Sequence, residues 1–416
     1  MPSYDVVIVG ASFAGLTLAH HLPRTLRVLV VDAKPAAGAT VESTGLITSK
    51  TREEFRTFFD VDRYITNPIT GICVVAPDFA AQFVSRVREP WIFQTDTKAL
   101  VRALADALPP NVELRTATVF LGVDDPERPT RVTLQSKGRA AEEVECRFLV
   151  GADGGHSKVA QSVAGLWRNR RFLFGHEQVF FGTVHLGPDP EETISHFWFG
   201  EFSLGYGGWI SPTVVDGRPA FRIGLAKLME DRGDARRLTV AFLHELRNRG
   251  YVTVEGDIEK PDYVFGSHIP IGGCVKRIHA GNALLIGDAA GFCGAFAADG
   301  IKGSVVSGKE AAPLIERYLA GDASAPGELA ARMNRRTGLI GYYRRQLLYR
   351  FVWDRMKSDR SFWAMFRIIE QERDTFLEQF CDSKDRRKSL SRVVLKPRHA
   401  GRLLRYAWSL TLDLFR

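Results

Sequence analysis

Unbroken apolar runs open the chain. Tyr4 to Val9 and Arg27 to Val31 each read as a strand buried on both faces. Between them lies a tight turn, Gly10-Ala11-Ser12-Phe13-Ala14-Gly15, and a helical stretch from Leu16 to Leu22 that stops at Pro23. Strand, turn, helix and strand within 32 residues predict a βαβ unit and a parallel sheet, because parallel neighbours require a crossover. Two alternating runs between Ile69 and Val87 flank Ala76-Pro77-Asp78 and predict a hairpin leaving that sheet. Lys98 to Leu108 reads as a short amphipathic helix closed by Pro109-Pro110, with strands to follow at Val112 to Val123, Arg131 to Gln135 and Val144 to Val150. From about Arg168 to Arg277 the period becomes two, in Val179 to Leu186, Ile194 to Phe202, Tyr206 to Val215 and Pro219 to Leu225. This predicts an antiparallel sheet, with one helix at Ala235 to Arg249. A buried strand returns at Ala283 to Ile286, and beyond Leu329 the chain is mostly helical without internal repeats.

At 416 residues, 45% hydrophobic and 25% charged, the composition is that of a folded globular protein. No stretch joins about 20 apolar residues without glycine punctuation, so no spanning helix is expected. Val6 to Pro23 is free of charge but holds Gly10, Ser12 and Gly15 in a turn and lacks a basic stretch before it, which argues against a signal peptide. A cytoplasmic protein is expected, peripheral at a membrane surface if the basic tail described below meets lipid. The cysteines, Cys73, Cys146, Cys274, Cys293 and Cys381, are far apart and form no CxxC, so neither disulfides nor a metal site is expected. The net charge of +8 is uneven: residues 331–416 hold 21 Lys and Arg against 9 Asp and Glu, a balance of +12, and the remainder carries −4. Within that tail, Tyr342-Tyr343-Arg344-Arg345, Tyr349 to Trp353 and Phe362 to Arg367 interleave aromatics with arginine. One reading is a helical face lying in a membrane interface; the other is helices packed on the rest of the protein with arginines in water. No recognition motif supports nucleic acid.

Three turns carry candidate chemistry. Gly10-x-Ser12-x-x-Gly15 joins the first strand to its helix, and Asp32 ends the next strand. Glycines there let backbone approach a pyrophosphate, the helix N-terminus offers amides and partial positive charge, and the acid can accept from a ribose diol. Phe148 to Val150 then runs into Gly151-Ala152-Asp153-Gly154-Gly155, with Ser157 placed to cap a helix from Lys158. Finally Ala283 to Ile286 runs into Gly287-Asp288-Ala289-Ala290-Gly291, followed by Asp299-Gly300-Ile301 and a helix from Lys302 to Leu319. Asp288 can bind polyol hydroxyls, and the helix N-terminus can face a delocalised anion.

In this order the three resemble the adenine-nucleotide, DG and GD fingerprints of FAD proteins with the para-hydroxybenzoate hydroxylase fold, over about residues 1 to 320. Within that superfamily the chain is similar to the geranylgeranyl reductase family, flavoenzymes that saturate isoprenoid double bonds. Thr44-Gly45-Leu46 sits where that family has Cys-Gly-x-Gly-Leu, and Gly205-Tyr206-Gly207-Gly208-Trp209-Ile210-Ser211-Pro212 is similar to its Gly-Tyr-x-Trp-x-Phe-Pro segment. The chain departs from the family at Glu42, in place of its cysteine, and at Thr97, Ala160 and Ala295.

The resemblance implies an α/β (α+β two-lobe) protein. Its Rossmann-like FAD-binding domain would be residues 1–68, 95–167 and 278–330, its antiparallel-sheet substrate domain 69–94 and 168–277, and its basic helical C-terminal region 331–416. FAD would be held by Gly10, Ser12, Phe13, Ala14, Gly15, Asp32, Ala33, Asp153, Gly287, Asp288, Gly300 and Ile301. Tyr206, Trp209 and Pro212 would line the substrate pocket. Glu42, beside the flavin's reactive edge, is a candidate proton donor, and Lys302 a candidate positive charge near flavin N1. The implied function is reduction of carbon–carbon double bonds in a hydrophobic isoprenoid or lipid substrate, with NAD(P)H or a separate reductase as electron source. The alternative is a monooxygenase acting on an aromatic or polyketide-like substrate. Glu42-Ser43-Thr44 and Trp209-x-x-Pro212 also echo flavin-dependent halogenases, but the lysine those enzymes need has no counterpart from Thr51 to Thr97. A non-catalytic flavin-binding protein is the reading outside catalysis. His156, His176, His185, His196 and His279 lack the spacing of a catalytic base and are expected to be structural or exposed.

Overall fold

The computed structural model describes residues 1–40, 43–198, 207–231, 233–381 and 394–415. Ser3–Val9 lies between Val28–Val31 and Glu142–Gly151, all parallel. The sheet extends past Val28–Val31 to Val112–Arg115 and past Glu142–Gly151 to Ala283–Leu285, again in parallel, and ends on the short antiparallel strand His279–Ala280. Arg131–Ser136 and Thr118–Val123 attach as an antiparallel flap, making eight strands. The predicted single strand from Val112 to Val123 is broken by Ala117, at φ +47°, into two. The unbroken apolar runs have their cause here: Val6 to Ile8, Val28 to Val31, Phe148 to Val150 and Ala283 to Leu285 are sealed on both faces. Helices Phe13–His21 and Gly300–Leu319 pack against each other so closely that a Cβ on Gly308 would lie 2.7 Å from the Ala14 carbonyl oxygen.

The second sheet is also eight-stranded, in the order Val252–Val254, Phe172–Val184, Arg218–Leu228, Gly208–Val215, Thr193–Phe197, Gly71–Val75, Gln82–Arg86, with Tyr263–Pro270 paired to Phe172–Val184. The hairpin predicted around Pro77 supplies Gly71–Val75 and Gln82–Arg86. Gly71–Val75 pairs in parallel with Thr193–Phe197, the exception to the antiparallel expectation. Helix Ala235–Asn248 covers one face, setting Phe242, Leu243 and Leu246 on Phe197, Phe221 and Ile223. A three-stranded sheet of Leu46–Thr48, Ile92–Thr95 and Ile65–Ile69 is tied to this one by the Ser211 hydroxyl, which donates to Gln94 Oε1 at 3.1 Å.

Among the described residues, helices Leu329–Thr337, Leu339–Trp353, Asp359–Ile369, Arg373–Cys381 and Ala400–Asp413 follow. Met333, Leu339 and Tyr343 join the core of the parallel sheet. Trp353, Phe362, Phe366, Phe376 and Tyr406 share a core with Ile72, Val74 and Phe83 of the second sheet and with Trp198, which follows its strand Thr193–Phe197. Of the two readings of the aromatic and arginine stretches, packing on the rest of the protein holds for their larger rings, while Phe351 is exposed. Tyr343, Trp353, Phe362 and Phe366 are core residues, and Arg350, 1% exposed, is ion-paired with Asp354. Aromatic residues at helical spacing suit a protein core and a lipid interface equally, and only the partner sheet decides between them. No helix of the described residues is long and apolar enough to cross a membrane.

Candidate functional site

The three glycine turns converge at the carboxyl ends of the parallel strands, where open α/β sheets hold ligands. Gly10 has φ +112°, and a Cβ on it would fall 2.2 Å from the Ala152 carbonyl oxygen; one on Gly15 would fall 1.9 Å from that of Gly10. Only glycine permits this approach between the first turn and the second. Asp32 brackets the site, accepting from the Ala11 amide at 2.7 Å and the Lys34 amide at 2.8 Å, with exposed Ala33 beside it. Phe13, Ala14 and Gly15 are buried, while Ser12, at the N-cap of the first helix, makes no side-chain cap. The amides of that helix's first turn are thus left to a ligand.

Asp153 accepts from the Val159 amide at 3.1 Å through Oδ2, while its Oδ1 is sealed from solvent with no hydrogen-bond partner. Burial pushes its pKa above the carboxylate range. Ser157 caps its helix as expected, accepting from the Ala160 amide at 2.9 Å. In the third turn the Gly287 amide donates to Ser307 Oγ at 2.9 Å. Asp288 is half-buried; its Oδ1 is sealed without a partner, and burial lifts its pKa to about 6. A Cβ on Gly300 would lie 2.8 Å from that oxygen, so the start of the long helix and the carboxylate are neighbours. Two buried carboxylate oxygens without donors, beside two helix N-termini without side-chain caps, match a ligand rich in hydroxyls and phosphates.

The C-terminal region reaches into this site. Asp299, ahead of the long helix, accepts from the Tyr342 hydroxyl at 2.9 Å and from Gln346 Nε2 at 3.1 Å. Gln346 Oε1 accepts in turn from the amides of Phe296 and Ala297, at 2.9 and 2.7 Å. One carboxamide therefore sets the shape of the loop that leads into Gly300 and half-buried Ile301. Gln346→Leu, similar in size, strips these bonds and is expected to weaken FAD binding about tenfold, a loss of roughly 1.4 kcal/mol. Flavin-fluorescence titration of the stripped protein checks it, an unchanged dissociation constant being the contrary result. Lys302 is buried, and burial followed by repulsion from Lys50 lowers its pKa, against the pull of Asp299, Glu54 and Glu53.

Glu42 and Tyr206 lie outside the described residues. Next to Glu42, the Thr44 carbonyl accepts from Gln94 Nε2 at 2.7 Å, and a Cβ on Gly45 would lie 1.9 Å from Thr97 Oγ1. Trp209 is buried in a cluster with Ala295 and Leu347, beside the loop that Gln346 shapes. Pro212, three residues on, points from the opposite face of the same strand, so the structure does not bring Trp209 and Pro212 into one pocket. The partners of Trp209 are not marked by any motif in the sequence. Its indole N–H donates to Glu177 Oε2 at 2.8 Å, and Arg222 pairs with the other oxygen at 3.1 Å, all on the face away from helix Ala235–Asn248. His196 stands opposite Trp209 in register, and burial drives its pKa down to about 4, leaving a neutral imidazole at pH 7. The available signal was charge inside strands whose neighbours on both faces are apolar. Among the described residues no group of three or more His, Cys, Asp or Glu could hold a metal ion.

Comparison with known proteins agrees with this geometry. The family described as FAD binding domain matches residues 3–336. The digeranylgeranylglycerophospholipid reductase of Methanosarcina mazei is 25% identical over 335 residues, 77% of each chain. An FAD-dependent monooxygenase of Penicillium ochrochloron is 27% identical over 166 residues, 38% of each. The crystal structure of a geranylgeranyl bacteriochlorophyll reductase-like protein from Thermoplasma acidophilum superposes with a TM-score of 0.79 at 15% identity, covering 99% of this chain and 100% of that one, a likeness of fold. FAD is the ligand that fits the orphaned carboxylate oxygens, the open helix ends and the glycine approach, and the chain belongs to the FAD binding domain family as an FAD-dependent oxidoreductase similar to geranylgeranyl reductases.

Proposed function

We propose that this oxidoreductase reduces carbon–carbon double bonds of a hydrophobic, isoprenoid-type lipid. The observation that carries the reading is the aromatic wall beside the loop before Gly300. Phe296 meets Trp353 edge-on at 5.2 Å and Tyr349 at 6.0 Å, and Trp353 meets Trp198 at 5.5 Å. Trp353 and Trp198 belong to the core behind, and the half-buried rings of Phe296 and Tyr349 offer an apolar edge beside that loop, suited to an apolar chain. The likeness to the Methanosarcina mazei reductase supports the same chemistry. When bound, reduced FAD supplies hydride.

The chain's own groups hold and orient. Gly10, Ser12, Phe13, Ala14 and Gly15 present backbone to the pyrophosphate. Asp32, with a lone pair free on each oxygen beyond the amides it accepts, takes a ribose hydroxyl next to Ala33. Asp153 orders the second turn. Asp288 accepts from the ribityl chain, Gly287, Gly300 and Ile301 line the ring, and Lys302 adds positive charge to the same helix end. Glu42 is assigned the proton delivered to substrate carbon. Electrons come from NAD(P)H or a separate reductase.

A second reading, hydroxylation, draws on the likeness to the Penicillium ochrochloron monooxygenase. Incubating the yellow protein anaerobically with a chemical reductant and a geranylgeranylated lipid separates the two by mass spectrometry. Products gaining hydrogens in pairs are expected. No reduced product, together with incorporation of one oxygen into an aromatic acceptor in air, would replace the reductase reading with the monooxygenase one.

A further inference from the structure

The last helix, Ala400–Asp413, carries large apolar side chains on the side that faces water. Its inward face holds polar groups beside two leucines: Tyr406, Ser409 and Asp413 are buried, as is His399 just before it, while Leu403 and Leu410 pack against the core of the second sheet. Asp413 accepts from the Ser358 and Ser361 hydroxyls at 2.7 and 2.6 Å and from the Lys357 amide at 2.9 Å, while His399 meets Glu372 at 2.6 Å. These bonds at both ends prevent the helix from rolling. Its outward face is apolar: Leu404 and Trp408, one turn apart, are 73% and 65% exposed, and Leu414 and Phe415, just past its end, are 67% and 85% exposed. A soluble helix normally buries such residues and shows its polar side to water.

We propose that this face docks the protein on an anionic lipid bilayer, the apolar side chains entering the boundary between headgroups and acyl chains. Charge selects the partner. Arg405 is exposed beside Leu404, and residues 331–416 carry +12. Two copies meeting through this face would bring like-charged segments together, whereas a bilayer of phosphatidylglycerol attracts them, by about 1 kcal/mol per basic residue near its surface. The docking helix lies outside the aromatic and arginine stretches at Tyr342 to Arg345, Tyr349 to Trp353 and Phe362 to Arg367, whose Tyr343, Trp353, Phe362 and Phe366 are core. The inference stands independently of the reaction catalysed, since binding is read without turnover.

The test uses the flavin-loaded full chain. Co-sedimentation with mixed phosphatidylglycerol and phosphatidylcholine vesicles at low salt is compared between wild type and Leu404→Ser/Trp408→Ser, whose sites face away from the packed side. Wild type is expected to pellet, and the double variant, with flavin content and melting temperature unchanged, to lose about tenfold or more in partitioning. Equal pelleting of the variant overturns the proposal. So does a wild type that stays in the supernatant but self-associates in solution through a contact the variant abolishes, since the face would then be a protein interface.

Discussion

Protein carrying Asp288→Ala is expected to purify largely colourless, its affinity for FAD lowered about 100-fold. The wild-type carboxylate has one sealed oxygen with no donor, which only a ligand's hydroxyl can supply, and a hydrogen bond to a charged acceptor contributes roughly 1.5–3 kcal/mol. Full yellow occupancy in the variant would contradict the placement. The same group predicts a pH dependence in the flavin-free protein. Burial lifts Asp288 from the ordinary 3.8 to about 6, so between those values the folded form holds a proton that the unfolded chain has released. Stability from this group is therefore highest at low pH and falls as pH rises through the window, its cost complete above about 6. Asp288→Asn cannot ionise and is expected to remove that slope. Thermal melting of both flavin-free proteins from about pH 4 to about pH 7.5 checks this, and parallel curves would refute it. Bound FAD, whose hydroxyls donate to the ionised carboxylate, should flatten the wild-type curve.

The second large effect lies far from the cofactor. Glu372→Ala is expected to destabilise the protein by about 2–3 kcal/mol, the cost of leaving buried His399 without its acceptor and releasing the partly exposed Lys396 and Arg398. Glu372 is 3% exposed and accepts from Lys396 Nζ at 2.7 Å, Arg398 Nε at 3.0 Å and His399 Nε2 at 2.6 Å. Burial alone would raise its pKa, but the bonds from Arg398, Lys396 and His399 prevail and hold it at about 2. The folded value lies below the ordinary 4.5, so this stability is fully present above about pH 4.5 and is lost as pH falls toward 2. Urea unfolding at about pH 7 should separate wild type from Glu372→Gln widely, and at about pH 3 much less. A gap independent of pH would assign the loss to packing instead. Hydrogen exchange in the variant should rise first over Ala400–Asp413, the helix this cluster ties down.

The βαβ opening, the two sheets and the order of the glycine turns were legible because each is written in local pattern. A strand sealed on both faces must be apolar throughout, and a turn that meets another backbone at 2.2 Å must use glycine, as Gly10 does. Asp32, Asp153 and Asp288 stood out as acids ending apolar strands, and the fold gathers those strand ends at one edge. His196, Glu177 and Arg222 were not legible as a set. They come from three strands, and their meeting with Trp209 depends on register and on which face helix Ala235–Asn248 covers, quantities that no single strand carries.

The C-terminal region shows the division most clearly. Its basic charge, helical period and aromatic content are properties of the amino-acid sequence and needed no coordinates. Which aromatics are core and which face outward was decided only by tertiary contacts. Trp353 and Phe366 found Trp198 and Phe83 at the second sheet, whereas Trp408 was turned outward because Asp413 and His399 found partners inside. A helix of mixed composition can present either side to its neighbour, and here the inward side combines the hydrogen bonds of Asp413 and His399 with the packing of Leu403 and Leu410. The likeness to FAD proteins is therefore carried by local spacing along the chain, while the clamp of Gln346 on the loop before Gly300 and the outward face of the last helix exist only because distant segments pack together.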